Sequence, residues 1–132
     1  MSLASCKIIS LPSFNDKRGC LSFLEGNNHI PFEIRRIYYI YDVPQEIVRG
    51  NHAHKELEQL IISISGSFDI NLDDGNSTKK FHLNKRNEGL YICPNIWRTI
   101  ENFRAGSTCL VLASEKYKKD DYINNYKEFA RQ

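Results

Sequence analysis

The chemistry-bearing residues of this chain concentrate in one segment, Arg49-Gly50-Asn51-His52-Ala53-His54-Lys55-Glu56-Leu57-Glu58-Gln59. The chain has 4 histidines, and two of them stand here, two positions apart. On a β-strand, side chains at i and i+2 share a face, so both imidazoles point into one space. Two chemistries use histidines aimed together. One is metal binding by neutral imidazoles. The other is proton transfer, because an imidazole pKa of about 6.5 serves both as acid and as base. Glu58 is placed to orient an imidazole through its second nitrogen. Gln59 opens the next apolar run and is placed to bond a ligand or to steady His54. His29 and His82 are isolated and are expected on the surface.

Strands must carry these side chains. In Gln59–Ser65, Leu60, Ile62 and Ile64 alternate with Ile61, Ser63 and Ser65. After the turn Ser65-Gly66-Ser67, Phe68, Ile70 and Leu72 alternate with Asp69, Asn71 and Asp73. This period of two predicts a hairpin with one buried and one wet face. Asp74-Gly75 signals a second turn, with a short strand at 80–83. Residues 34–41 and 108–113 are β-rich and mostly apolar, and are expected to be interior strands. Residues 6–11 and 19–25 read as two earlier strands. Helical spacing of Tyr122, Ile123, Tyr126 and Phe129 predicts one helix over 119–130, with Asp120 or Asp121 as its N-terminal carboxylate. Many short strands and one late helix indicate an all-β sandwich or barrel, and one domain over 1–132.

Composition sets bounds on partners. At 132 residues and 41% hydrophobic, the chain suits one core that needs no disulfide or structural metal. A net charge of +2 argues against a nucleic-acid binder, which carries a clustered Lys/Arg surplus. No apolar run reaches the ~18 residues of a membrane span, and the first residues lack a signal-peptide pattern, so a cytoplasmic location is expected. Cys6, Cys20, Cys93 and Cys109 form no C-x-x-C pair and are expected to be reduced core thiols.

Two stretches resemble the motifs of the cupin β-barrels: Gly50…His52-x-His54-x-x-x-Glu58…Gly66, and Gly89-Leu-Tyr-Ile-Cys-Pro94-Asn-Ile-Trp97. Metal-binding cupins add a histidine soon after that proline. This chain has Trp97-Arg98-Thr99 there, and a guanidinium repels a cation. His52, His54 and Glu58 remain three conceivable ligands, but Arg98 tilts the reading toward metal-free acid–base chemistry on an anionic ligand.

Further segments make the resemblance more specific. They are Asp16-Lys-Arg18-Gly19, Ile30-Pro31-Phe32, Arg36-Ile-Tyr38-Tyr39-Ile, Leu72-Asp-Asp-Gly75, Val111-Leu-Ala-Ser114 and Asp121-Tyr122-Ile123. Together with the histidine segment, and in this order, they are similar to the small cupins that act as dTDP-4-keto-6-deoxyhexose 3,4-ketoisomerases. The departure is Arg98, where a histidine is expected.

The resemblance implies a cupin double-stranded β-helix (jelly roll) with one C-terminal helix. It implies a dTDP-sugar substrate whose ketone moves from carbon 4 to carbon 3 through an enediol, with no cofactor and no metal. It implies His54 as base at carbon 3 and His52 as the partner shuttling a proton toward carbon 4; the spacing leaves their order open. Tyr39 is a third catalytic candidate. Arg18, Arg36, Arg49 and Arg98 are candidates for the diphosphate, Tyr38 or Trp97 for the thymine ring, and Gln59 for the sugar. A homodimer with exchanged N-terminal strands, residues 6–11 among them, is implied as well, and a place in 3-amino-3,6-dideoxy sugar biosynthesis for glycans such as O-antigen. The rival readings are a cupin 3,5-epimerase and a non-catalytic cupin that senses a sugar nucleotide.

Overall fold

The computed structural model describes residues 2–131. Most of its backbone hydrogen bonds run in two five-stranded antiparallel sheets. One has the order β1-β9-β6-β11-β4, from β1 (Lys7–Ser10), β9 (Glu88–Ile92), β6 (Gln59–Ser65), β11 (Thr108–Ala113) and β4 (Arg36–Tyr41). The other has the order β12-β5-β10-β7-β8, from β12 (Tyr122–Ile123), β5 (Arg49–His54), β10 (Trp97–Glu101), β7 (Phe68–Asp73) and β8 (Thr78–Leu83). This is the jelly roll expected from the cupin resemblance. A separate hairpin is built from β2 (Ser13–Asp16) and β3 (Gly19–Ser22). Among the described residues, no helix is long and apolar enough to cross a membrane.

The alternation in β7 holds as expected: Phe68, Ile70 and Leu72 are fully buried, while Asp69, Asn71 and Asp73 are half-buried. Each such apolar side chain contributes roughly 1.5–3 kcal/mol on burial. Strand β6 departs from the expectation. Gln59 through Ser63 are all buried, so both faces of this central strand, between β9 and β11, are covered over that stretch. Strand β4 departs in the other direction. It is an edge strand, not an interior one, with Arg36, Tyr38 and Ile40 turned inward and Ile37, Tyr39 and Tyr41 exposed.

The expected long helix is corrected. Residues Lys119–Asp121 form one 3₁₀ turn, Tyr122–Ile123 form β12, and the helix α1 covers only Tyr126–Ala130. Asn125, not an aspartate, caps it by accepting from the Glu128 N–H. The physical reason lies in the edge of β5, whose backbone groups need partners. Tyr122 and Ile123 supply them opposite His54 and Ala53. A strand pair satisfies more buried backbone there than a lone helical turn does. Ala53, Ile123 and Phe129 then form a small apolar cluster outside this sheet.

Candidate active site

A cavity of about 340 Å³ opens between the inner faces of the two sheets. Strand β4 contributes Arg36, Tyr38 and Ile40, β6 contributes Gln59 and Ile61, and β10 contributes Arg98 and Ile100. Strand β5 contributes Arg49, Gly50 and His52, and β12 contributes Tyr122.

One backbone irregularity decides which residues of β5 meet there. Arg98 pairs with His52, but Ile100 pairs with Arg49, so β5 spends one residue more than β10 between these pairs. Gly50 takes φ +76° within this bulge, a conformation that side chains with a Cβ rarely adopt. In a regular strand Arg49 and His52, three apart, would face opposite ways. The bulge turns both toward the cavity.

Arg98 is the largest fully buried side chain among the described residues. Its guanidinium donates to Gln59 Oε1 through Nη1, and to the Ile96 carbonyl at 2.9 Å through Nη2. Gln59 Nε2 in turn donates to the Tyr38 hydroxyl at 3.0 Å. Burial lowers the Arg98 pKa to about 10, which still leaves it charged at neutral pH. Arg36 lies with its guanidinium carbon 5.3 Å from the Tyr38 ring centre and 5.7 Å from that of Tyr117. Its Nε and Nη2 are buried with no hydrogen-bond partner among the described residues. None of Arg36, Arg49 and Arg98 has a carboxylate partner among the described residues. Three cations without a carboxylate partner, running from exposed Arg49 through half-buried Arg36 to buried Arg98, give this cavity a charge suited to an anion.

The two imidazoles stand edge to face with ring centres 4.8 Å apart. Tyr122 packs on both, 5.1 Å from His52 and 4.4 Å from His54. His52 lines the cavity, whereas His54 is wholly buried behind it. The Nδ1 of His54 lies 3.0 Å from Asp121 Oδ2. The Nε2 atoms of both rings are buried without a partner among the described residues. Burial first, and the Arg98 charge second, push the His52 pKa down to about 4 and also lower that of His54. Both rings are therefore neutral at physiological pH and are able to accept a proton.

Several expected site residues lie elsewhere. Tyr39 is 61% exposed on the outer face of β4 and stacks on Tyr41, because its neighbour Tyr38 takes the inward position. Trp97 alternates with Arg98 and so faces outward, against Tyr126 and Phe129. Arg18 sits on the β2–β3 hairpin, paired with Asp16 at 2.7 Å and away from the cavity of its own chain. Glu58 accepts from the Tyr91 hydroxyl at 2.5 Å and does not hold an imidazole. The conceivable trio of His52, His54 and Glu58 is therefore not assembled as a ligand set, and among the described residues no group of three or more His, Cys, Asp or Glu is placed to hold a metal ion. Arg36, Tyr38, Arg49, His52, Gln59 and Arg98 are brought together. Of the pair Arg35 and Arg36, Arg36 faces inward, and Arg35 binds Glu33 and Glu115 outside. Three of the four cysteines are buried, but Cys20 is exposed on the hairpin.

Sequence reasoning missed Asp121 and Tyr122 as site residues. Their signal was the segment Asp121-Tyr122-Ile123, which helical spacing assigned to the helix instead.

Fold and cavity together define a cupin whose cavity gathers an imidazole and three arginines. A protein-family model described as "FdtA: WxcM-like, C-terminal" matches residues 4–132, and the chain belongs to this family. It is 41% identical over 125 residues to the TDP-4-oxo-6-deoxy-alpha-D-glucose-3,4-oxoisomerase of Aneurinibacillus thermoaerophilus, covering 95% of this chain and 90% of that protein. A 3,4-ketoisomerase structure from Helicobacter canadensis is 50% identical with a TM-score of 0.93, covering 96% and 95% of the two chains. The 3,4-ketoisomerase QdtA of Thermoanaerobacterium thermosaccharolyticum, solved as a histidine-to-asparagine mutant with TDP-4-keto-6-deoxyglucose, is 41% identical with a TM-score of 0.95. It covers 98% and 94% of the two chains.

Proposed function

We propose that this chain is a 3,4-ketoisomerase of a TDP-4-keto-6-deoxyhexose. The observation that carries the proposal is the pair of neutral, stacked imidazoles beside a cavity ringed by Arg36, Arg49 and Arg98 with no carboxylate partner. The cavity is of the size that small ligands occupy, ~300–1,000 Å³. Arg49 lies at the exposed mouth and Arg36 lines the same cavity, and these two suit the diphosphate as planar forks of donors. Tyr38 offers the flat face for the thymine ring. Arg98 and Gln59 lie deepest and face the sugar.

The proton at carbon 3 is acidic because it is alpha to the carbon-4 ketone. The wall position of His52 favours it as the base, reversing the order that the family resemblance suggests. Removal of that proton leaves an enediolate, and the negative charge on its oxygen is offset by buried Arg98, an electrostatic effect amplified by the absence of water. The same negative charge raises the affinity of the imidazoles for the proton. His54 is the second acid–base group, serving the proton that moves between the two sugar oxygens. Reprotonation at carbon 4 completes the shift. No electrons leave the substrate, so no redox cofactor takes part. The 3-keto product suits an aminotransferase that makes a 3-amino-3,6-dideoxy sugar, in the cytoplasm where sugar nucleotides are built.

The active form proposed is a homodimer. The β2–β3 hairpin exposes every one of its residues, and a lone two-stranded ribbon is marginally stable. Phe14 and Leu21 on it, and Ile37, Tyr39 and Tyr41 on the free edge strand β4, supply apolar surface for a second copy. The hairpin, rather than β1, is the exchanged element, since β1 pairs along β9 of its own chain. Arg18 joins a substrate site only through such an exchange.

The test is incubation with dTDP-4-keto-6-deoxyglucose in deuterated buffer, followed by NMR of the sugar. Deuterium at carbon 3 and a 3-keto product are expected, with the carbon-4 configuration read from the same spectra. Exchange at carbon 5 would make the chain an epimerase. Tight binding without exchange would make it a sensor.

A further inference from the structure

Asp121 is the one carboxylate bonded to either imidazole among the described residues. It is held on two sides. Its Oδ1 accepts from the Glu56 N–H at 2.8 Å, and its backbone carbonyl accepts from the Lys55 N–H at 2.9 Å. Its side chain is 9% exposed, and that of His54 is 0% exposed. A carboxylate oxygen can only accept, so a neutral ring facing it must carry its proton on Nδ1. The Nε2 of His54 then holds the lone pair, and that atom is the buried, unpartnered one. His52 has no such partner, so its tautomer is free to change.

We propose that Asp121 is a positioning residue that locks His54 as the Nδ1–H tautomer and so keeps its Nε2 as a proton acceptor during the isomerisation. This rests on the ketoisomerase reading. Asp121 touches no substrate; it acts through His54. The 3₁₀ turn and β12 thus do more than close the edge of β5. They deliver one carboxylate to the back of the site.

The hydrogen-bond geometry makes Asp121→Asn a sharp probe. Its amide oxygen must stay on the Glu56 N–H, which needs an acceptor. Its NH₂ is then turned toward His54 Nδ1, which must give up its proton. The imidazole flips to the Nε2–H tautomer with little change in shape. Imidazole nitrogen shifts of ¹⁵N-histidine-labelled protein report this directly and need no substrate. The wild type is expected to show His54 with a pyrrole-type Nδ1 and a pyridine-type Nε2, and Asp121→Asn the reverse. With TDP-4-keto-6-deoxyglucose, kcat is expected to fall by about 10²–10⁴, as when a carboxylate that fixes a catalytic tautomer is lost, with KM changed less than about threefold. Unchanged kcat in a folded Asp121→Asn, or a wild-type His54 protonated on Nε2, overturns the proposal. If Asp121→Asn does not fold, the wild-type spectrum alone decides. A wild type that does not turn over this sugar sinks the ketoisomerase reading instead, and the tautomer measurement stands apart from it.

Discussion

Arg98, His54 and Gln59 are polar and only 2%, 0% and 1% exposed, whereas Phe14 and Leu21 are apolar and 64% and 59% exposed. The surroundings of the cavity and the β2–β3 hairpin depart from ordinary burial in opposite directions. Inside, polar groups give up water and leave hydrogen-bonding capacity unused, which is costly unless a ligand completes it. Outside, large apolar side chains stay wet, which is costly unless another surface covers them. The first departure suits a small polar anion. The second suits a protein surface. One chain therefore carries two unfinished regions, and their chemistry separates the two kinds of partner.

The largest effect is expected at the histidines. His52→Asn keeps shape and removes the base, so kcat is expected to fall by about 10²–10⁴ while nucleotide affinity stays close to wild type. Turnover that survives in His52→Asn removes the catalytic meaning of the buried polar wall. Next comes Arg98→Met, which replaces a buried cation by a chain of similar volume. Loss of the oxygen-stabilising charge is expected to lower kcat by about 10²-fold. The same change is expected to raise the His52 pKa, since Arg98 is the second cause of its depression. Carbon-bound proton shifts of His52 across a pH titration measure that, and an unchanged pKa refutes the electrostatic coupling.

The outer region is tested by Phe14→Asp combined with Leu21→Asp. Sedimentation is expected to show the mass halve relative to wild type. A wild type already monomeric at high concentration refutes the hairpin as a contact between two copies. A smaller effect concerns pH. The folded His52 titrates at about 4, below the ordinary imidazole value. The unfolded chain thus binds a proton near pH 6.5 that the native state refuses. Stability is fully present above about pH 6.5 and declines as the pH falls from there toward about 4. Urea unfolding at several pH values measures this, and the decline is expected to be shallower in Arg98→Met. The smallest effect expected is that of Tyr39→Phe. Its hydroxyl lies outside the cavity, so kcat should change less than about twofold; a large loss would return Tyr39 to the site.

Much of the site was legible because strand periodicity is local. The i, i+2 spacing placed His52 and His54 on one face. Alternation does not say which face is the inner one, and this is where Tyr39 and Trp97 were misplaced. Each stands next to the residue that does face the cavity, Tyr38 and Arg98. The aromatic contact of Trp97 with Phe129 depends on a return of the chain tail, which local spacing does not record. The spacing of Tyr122, Ile123, Tyr126 and Phe129 fits a helix as well as it fits a strand followed by a short helix. The open edge of β5 decided between them.

The β architecture, the histidine pair and the arginines suited to an anionic ligand were legible in the chain's residues, since these follow from alternation, residue chemistry and ordered family segments. Only the tertiary structure decided which arginines converge, because convergence depends on sheet order and on the bulge at Gly50. It alone brought Asp121 to His54, 67 positions away, since a contact across that distance is set by how strand edges are closed.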